Sequence, residues 1–354
     1  MTNNMTKVHP KYFAAANSYR GFINYFDRIF SVNDYDRLYI LKGGPGCGKS
    51  SFMKKISSTY GAKKCAVEEI YCSSDPHSLD GVIVKNAKKK IAIIDGTAPH
   101  ESDTKIPGAM DEIIDLAQGW DNRLLKAQAK GISEFVAEKG RAYNAAYHYL
   151  HSAGCEADFV KRIHLNLFEK SKAKSWAESI LNHIQEEKES KITTRLVSSF
   201  GRYGRYKLNT LNELGDNIIS VGGEESAAMI FLSYVYELLK HKPLSIIHFS
   251  SPLDPELTEA IYLVEQKIAI VYDESADKSS NELFSISPAD EERMKVSRKL
   301  YNDCMTEAKR WFSIASDMHF RLEKIYGEAM NFNINDRILE KKCAEIDDIL
   351  ETSG

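Results

Sequence analysis

The six cysteines of this 354-residue chain include no Cys-x-x-Cys pair. Their irregular spacing indicates neither a structural zinc site nor a disulfide framework, so we expect reduced thiols. No uninterrupted apolar stretch approaches the ~18 residues of a membrane span, and residues 1–10 lack the basic start and apolar core of a signal peptide. We therefore expect a cytoplasmic protein without a membrane segment.

The chain also lacks an excess of charge of either sign. Its 47 lysines and arginines against 50 aspartates and glutamates give a net charge of −3. This balance provides no overall field that attracts nucleic acid or anionic lipid, so a nucleic-acid partner is not expected. Apolar residues at 43% and charged residues at 27% are typical of a globular protein, and the length leaves room for two domains.

What is present is a repetition of similar segments in the two halves of the chain. The segment YCSS at 71–74 has a similar copy, HFSS, at 248–251. The segment KIAII at 90–94 has a similar copy, KIAIV, at 267–271, and both copies lie 177 residues after the first. Constant order and spacing favour a tandem duplication over coincidence. We predict two related domains, 1–187 and 188–354, joined near the charged stretch 185–191.

Hydrophobic patterns predict an α/β fold in each half. In the first half we expect strands near 12–15, 38–41, 67–72 and 91–94, and helices at 21–30 and from Lys49 onward. Alternation of strands with helices indicates a mostly parallel sheet covered on both faces, which is a three-layer αβα arrangement.

Each half is predicted to continue into a helical segment. In the first half Met110, Ile113, Ile114 and Ala117 have helical spacing, and the apolar pattern of 160–167 has the same period. In the second half Ser287-Pro288-Ala289-Asp290 is a predicted helix start, and it precedes a long apolar stripe.

The strongest motif is a glycine-rich loop between a predicted strand and a predicted helix. The segment GGPGCGKS at 43–50 fits the pattern G-x-x-x-x-G-K-[ST] at every defined position. Glycines let consecutive backbone N–H groups turn towards phosphate oxygens, and the following helix start adds partial positive charge. We expect this loop to bind a nucleotide triphosphate through Gly43, Gly44, Pro45, Gly46, Cys47, Gly48, Lys49, Ser50 and Ser51.

Three side chains have more specific predicted roles in the chemistry of this loop. Lys49 is predicted to contact the β- and γ-phosphates, and the Ser50 hydroxyl is predicted to ligate Mg²⁺. Asp95 follows the apolar run 91–94 and is the predicted carboxylate on the Mg²⁺ side. Many P-loop ATPases place a water-activating glutamate directly after this aspartate, but Gly96 occupies that position here.

Further polar residues follow two of the predicted strands, at 73–77 and at 97–103. Asp75 and His100 are the preferred catalytic candidates, one as a base or metal contact and the other as a hydrogen-bond partner of phosphate or substrate. The structural alternative stays open for both, because an aspartate before proline is typical of a turn and a lone loop histidine is commonly solvated.

The second half has lost the phosphate-binding residues. Ser226 and Tyr272 stand where the first half has Lys49 and Asp95, and the shortened turn reads GGEE at 222–225. Two glutamates would repel a triphosphate, so the second half is predicted to shape or regulate the first site instead of binding ATP itself.

The segments ILKGGPGCGKSSFMKKI, YCSSDPHSLDGV and IAIIDGTAPHESDTKIPGAMDEIIDL resemble a little-characterised bacterial family of tandem P-loop proteins of ATPase or nucleotide-kinase type. The resemblance covers nearly the whole chain, and DGTAPH at 95–100 and PGAMDEII at 107–114 are more distinctive than the loop alone. It implies ATP and Mg²⁺ but no particular substrate. In that family the second half often keeps a Gly-Lys-Ser loop of its own, which this chain lacks.

The sequence thus predicts an Mg²⁺-dependent ATP-binding protein with ATPase activity at a single P-loop in its first half. A small-molecule or nucleotide kinase is the first alternative, since this loop is also typical of nucleoside monophosphate kinases. A nucleotide-switched scaffold that binds a partner protein is the second. A further hypothesis has Arg202 or Arg205 reach the γ-phosphate from the second half, with a structural turn as the competing interpretation.

Overall fold

The computed structural model describes residues 9–63 and 65–352. The elements of the first half are β1 (Lys11–Phe13), β2 (Ala15–Ser18), β3 (Gly21–Asn24), α1 (Phe26–Ile29), β4 (Arg37–Lys42), α2 (Lys49–Ala62), β5 (Ala66–Tyr71), β6 (Leu79–Lys85), β7 (Lys90–Asp95), β8 (Asp111–Asp115), α3 (Asn122–Ala127), α4 (Ala129–Leu167) and α5 (Lys170–Leu181). Those of the second half are β9 (Lys191–Arg195), β10 (Ser198–Gly201), β11 (Gly204–Lys207), α6 (Thr210–Leu214), β12 (Asn217–Val221), α7 (Glu225–Leu239), β13 (Ser245–Ser250), β14 (Thr258–Leu263), β15 (Ile268–Tyr272), α8 (Pro288–Glu328) and α9 (Phe332–Glu351).

The first half is built on a six-stranded sheet in the order β1-β5-β6-β7-β4-β8. Strand β6 is antiparallel to both of its neighbours, while the β1–β5, β4–β7 and β4–β8 pairs are parallel. The α/β class and strands β4, β5 and β7 are confirmed. The predicted mostly parallel arrangement is confirmed for five of the six strands, while β6 returns directly beside β5 in the opposite direction and makes the sheet mixed.

The second sheet has the order β12-β15-β14-β13-β9, with β14 antiparallel to both neighbours and the β12–β15 and β9–β13 pairs parallel. Strand for strand, this is the order and direction of β4-β7-β6-β5-β1 in the first sheet. Within the described residues β8 has no counterpart, so β12 forms an edge of the second sheet.

One predicted helix of the first half is correct only in part and another is wrong. Of the predicted helix 21–30, residues 21–24 form β3, which makes a hairpin with β2 where Gly21 adopts φ +100° opposite Ser18, and 26–29 form the short helix α1. The spacing at 110–117 belongs to strand β8, which pairs with β4. Its Ile114 is buried while Ile113 is 41% exposed, the alternation of a strand at a sheet edge. A short apolar run of this kind fits both the helical period and the strand period, so its spacing alone does not distinguish a helix from a strand.

The long helices α4 and α8 are confirmed as helical segments of the two halves. The Ser287 side chain caps α8 by accepting from the Asp290 N–H, as its sequence predicts. Buried side chains of both helices, among them Leu150 and Phe312, share one apolar cluster. None of the helices in residues 9–63 and 65–352 combines the length and apolar composition needed to cross a membrane.

The helices that follow α4 and α8 pack on the opposite halves. Trp176 of α5 stacks on Phe231 of α7 with ring centroids 4.3 Å apart, in the core of the second half. Ile346 of α9 is fully buried in the cluster formed by β4, α2 and β7 of the first half. Each half therefore receives a helix from the other half, while the boundary at 187 stays a prediction.

Candidate functional site

The loop 43–48 connects β4 to α2 and has a backbone shape that depends on glycine. Gly43, Gly46 and Gly48 have φ of +143°, +72° and +88°, a region that side-chain-bearing residues rarely adopt. Gly48 is the residue that precedes α2, whose first helical residue is Lys49. The chain thus forms a strand, a glycine loop and a helix in the predicted order.

The Lys49 side chain lies across the inside of this loop. Its Nζ donates to the carbonyl oxygens of Gly43 at 2.8 Å and Gly44 at 3.1 Å, and it lies 3.6 Å from Asp95 Oδ2. Strands β4 and β7 pair so that Leu41 is opposite Asp95, which puts the carboxylate directly beside the loop. The fold therefore brings together the predicted lysine and the predicted acid.

Further hydrogen bonds fix the orientation of Ser50 and Asp95. Asp95 Oδ1 accepts from the N–H of Thr97 at 2.9 Å and from its hydroxyl at 2.6 Å, leaving Oδ2 towards Lys49. Ser50 Oγ accepts from the Leu79 N–H at 2.9 Å. Ser51, also predicted to contact nucleotide, is exposed.

Hydroxyl and carboxylate oxygens are the donor types that Mg²⁺ prefers, so Ser50 and Asp95 fit the predicted metal. Among the described residues there is no group of three or more His, Cys, Asp or Glu side chains able to hold a metal ion. At phosphate sites the protein commonly supplies only one or two Mg²⁺ ligands, and phosphate oxygens complete the shell.

His100 is held by an acid that the sequence interpretation did not single out. It is 5% exposed, its ring stacks on Phe26 at 4.4 Å, and its Nε2 lies 3.3 Å from Asp80 Oδ2. Nδ1 lies 3.0 Å from the backbone oxygen of Asp95. Burial disfavours the imidazolium, yet the Asp80 and Asp95 groups raise the pKa of His100 above its ordinary value. A polar residue inside the apolar run of β6 was the available signal for Asp80.

Asp75 lies in the turn between β5 and β6. Its Oδ1 accepts from the His77 N–H at 3.1 Å and its carbonyl accepts from the Ser78 N–H at 3.0 Å, which is the turn geometry expected of an aspartate before proline. In the described part of the chain no hydrogen bond joins Asp75 to His100. The catalytic roles proposed for these two residues stay predictions.

Cys47 is buried inside the loop 43–48, and burial raises the pKa of its thiol despite the nearby Lys49 ammonium. The thiol is therefore protonated at neutral pH, which favours its interpretation as a small residue over that of a reactive thiolate.

Helices of the second half lie directly against the loop. A Cβ added to Gly46 would come within 2.3 Å of the Glu323 carbonyl oxygen on α8, and Asn335 Nδ2 of α9 donates to the Cys47 carbonyl at 2.7 Å. Trp120 lies against Gly44 and also contacts Tyr326 of α8, with ring centroids 5.2 Å apart. Sequence reasoning missed these contacts because the partners are far apart along the chain and carry no local motif.

The corresponding turn of the second half, 222–224, is short and acidic. Helix α7 begins at Glu225, and Arg298 Nε of α8 donates to Glu224 Oε1 at 3.1 Å. Tyr272 lies opposite Val221, as Asp95 lies opposite Leu41 in the first sheet. This position thus has an aromatic side chain where the first half has its predicted metal ligand.

The hypothesis that an arginine of the second half reaches the γ-phosphate concerns Arg202 and Arg205. Arg205 forms ion pairs with Glu225 and Glu259, and the Arg205–Glu259 distance is 3.0 Å. Its guanidinium therefore contacts carboxylates of the second half. Arg202 lies 3.4 Å from Asp317 and 4.8 Å from the Phe320 ring on α8. The segment 201–204 forms the β10–β11 turn, in agreement with the structural interpretation.

Comparison of the chain with models of known families, with curated proteins and with solved structures finds no match. A functional interpretation therefore depends on the loop 43–48 and the side chains around it.

Proposed function

We propose that this chain is an Mg²⁺-dependent ATP-binding protein that hydrolyses ATP at one P-loop, in its first half. The observation that carries the proposal is the convergence of Lys49, Ser50 and Asp95 at the β4–α2 junction, with Lys49 Nζ 3.6 Å from Asp95. A merely structural glycine loop needs neither a lysine turned inward nor a carboxylate at the adjacent strand end.

Each residue of this junction has a distinct role in the proposed site. Backbone N–H groups of the loop and the start of α2 would hold the phosphates, and Lys49 would exchange its loop carbonyl partners for phosphate oxygens. Ser50 and Asp95 would hold Mg²⁺, which, when bound, neutralises charge on the phosphates.

The residue after Asp95 limits the rate expected for this site. A Cβ added to Gly96 would meet Ile40 Cγ2 at 2.3 Å, so β4 leaves no space there for a water-activating glutamate. Without an adjacent general base, hydrolysis loses a contribution of about 10²–10⁴-fold. We therefore infer slow turnover.

We also propose that the two halves arose by tandem duplication. The shared order and direction of the five corresponding strands support this origin, together with the repeated segments of the sequence. The second half would then be a copy whose phosphate loop has been replaced by the short acidic turn at 222–224.

A kinase is the second candidate, and the Gly96 position is the observation that favours it. A site that lacks a base for water is compatible with a phosphoryl acceptor that brings its own reactive hydroxyl. The acceptor would be a small molecule or a nucleotide. A nucleotide-switched scaffold is the third, in which the contacts of α8 and α9 with the loop transmit nucleotide binding to a partner protein.

Measurement of ADP release by the purified chain with Mg²⁺-ATP separates these candidates. Release that is unaffected by a panel of nucleosides and nucleotides supports the ATPase, whereas a phosphorylated product supports the kinase. Binding without turnover supports the switch. The Lys49→Ala variant should lose activity. The control Lys55→Ala, on the same helix α2, should keep it, because Lys55 forms only an exposed ion pair with Asp336 of α9.

A further inference from the structure

A cavity of about 260 Å³ lies next to the short acidic turn 222–224 of the second half. Its walls come from the start of α7, from the segment after β13, and from α4 and α8, which link the two halves. Tyr19, in the β2–β3 turn of the first half, closes one side. The cavity is therefore formed jointly by both halves and is separate from the loop 43–48.

The cationic side chains of this cavity are already neutralised. Lys161 Nζ lies 2.5 Å from Asp254 and 2.8 Å from Asp158, and these hydrogen bonds raise its pKa although burial opposes the charge. Arg298 is paired with Glu224 and, at 2.8 Å, with Glu291. An anionic ligand would have to break these pairs and approach the paired carboxylates, of which Asp254 is buried, and this is unfavourable.

The remaining surface suits an uncharged ring. Val160, Met229 and Leu253 supply buried apolar walls. The Tyr19 hydroxyl donates to the Tyr301 hydroxyl at 3.1 Å, so Tyr301 keeps a proton to donate at the cavity. A volume of about 150 Å³ holds a benzene molecule, so this larger cavity has space for a bicyclic molecule with polar atoms.

We propose that this cavity binds an uncharged heteroaromatic small molecule of the size of a nucleobase or nucleoside. The apolar walls would contact the two faces of the ring, and Tyr301 and Asn302 would hydrogen-bond its heteroatoms. The paired charges exclude phosphorylated forms. This proposal does not depend on the assignment of the loop 43–48 as an ATP site.

The test is calorimetric titration with adenosine and adenine as neutral probes and AMP as the matched anion, all in the Lys49→Ala background, which weakens binding at the loop 43–48. We expect at least one neutral probe to bind, with an affinity about tenfold or more above that of AMP. Absence of binding by both neutral probes to the folded protein, or equal affinity for AMP, would overturn the proposal.

Two variants locate the binding. Ala157→Phe fills the cavity from α4 and should weaken the affinity for the probe about tenfold or more. Ala137→Phe, at an exposed position of the same helix, should leave the affinity for the probe unchanged. Asn302→Trp, at an exposed position of α8 that lines the cavity, should give the same loss if Ala157→Phe does not fold. Unchanged affinity in a folded cavity variant would place the ligand elsewhere and contradict the proposal.

Discussion

At the scale of single residues, the contact between His100 and Asp80 makes stability depend on pH. The folded-state pKa of His100 is raised above its ordinary value of about 6.5, because carboxylate partners outweigh the effect of burial. The stabilising contribution is therefore fully present below about pH 6.5 and is lost as pH rises through the folded-state pKa.

Denaturant unfolding between pH 6 and 9 measures this effect. We expect His100→Gln to flatten the decrease in unfolding free energy over that range, and we expect His148→Gln, at an exposed position of α4, to leave it unchanged. Parallel curves for His100→Gln and the unsubstituted protein would contradict the proposed ion pair.

His248 makes the opposite contribution, at lower pH. Burial lowers its pKa to about 4, and its ring stacks on Tyr236 with centroids 3.9 Å apart. The folded state favours the neutral imidazole, so stability present above about pH 6.5 is lost as pH falls towards 4, by up to about 3 kcal/mol. Acid unfolding of His248→Gln should begin at lower pH than that of the unsubstituted chain, and an unchanged midpoint would refute this role.

Gly46 and Gly108 provide a matched test of the close approach between the loop and α8. Both have positive φ, but a Cβ at Gly46 would meet the Glu323 carbonyl oxygen at 2.3 Å while one at Gly108 would meet nothing within 4 Å. Alanine at Gly108 should cost only the backbone strain of about 1–2 kcal/mol. Thermal unfolding should show a larger loss for Gly46→Ala, and equal losses would contradict the contact.

The sequence identified the members of the site more readily than their partners. The motif alone locates Lys49 at the start of α2, and the apolar run before Asp95 predicts a strand end. Asp80, by contrast, becomes the partner of His100 only because β6 runs beside β7, and the turn chemistry at 75–78 gives no sign of this pairing.

At the scale of elements, the clearest feature is the exchange of α5 and α9 between the halves. Ile346 of α9 is fully buried against the first half, so Ile346→Ala should destabilise the protein by about 2–5 kcal/mol. Hydrogen exchange should become faster in α2, far away in sequence. The control is Glu340→Ala at an exposed position of α9, and an effect confined to the second half would argue against the exchange.

Long and strongly periodic elements could be predicted, whereas short ones could not. Helices α4 and α8 bury a stripe along many turns, and α8 has a capping serine, so their patterns are unambiguous. Strand β8 has only five residues, and its apolar positions also fit a helix. Its identity is decided by pairing with β4, which is a tertiary contact that the local sequence does not contain.

At the scale of the whole molecule, the two halves share a strand order but differ at one position that matters for function. The first half has a glycine loop with Lys49 and Asp95 beside it, and the second has the acidic turn 222–224 followed by the cavity. Helix α8 runs from that cavity, at Arg298, to the loop at Glu323. The proposed anion site is local and depends on backbone N–H groups and one lysine, so it is compatible with a chain of near-neutral charge.

The central claim is that one nucleotide binds per chain, at the loop that ends in Lys49. Calorimetric titration with Mg²⁺-ATP tests it most directly, with Lys49→Ala and Lys55→Ala as the matched pair on α2. We expect one site per chain in the unsubstituted protein and in Lys55→Ala, and an affinity at least about tenfold weaker in Lys49→Ala. Two sites per chain, no binding, or equal affinity in both lysine variants would contradict the account.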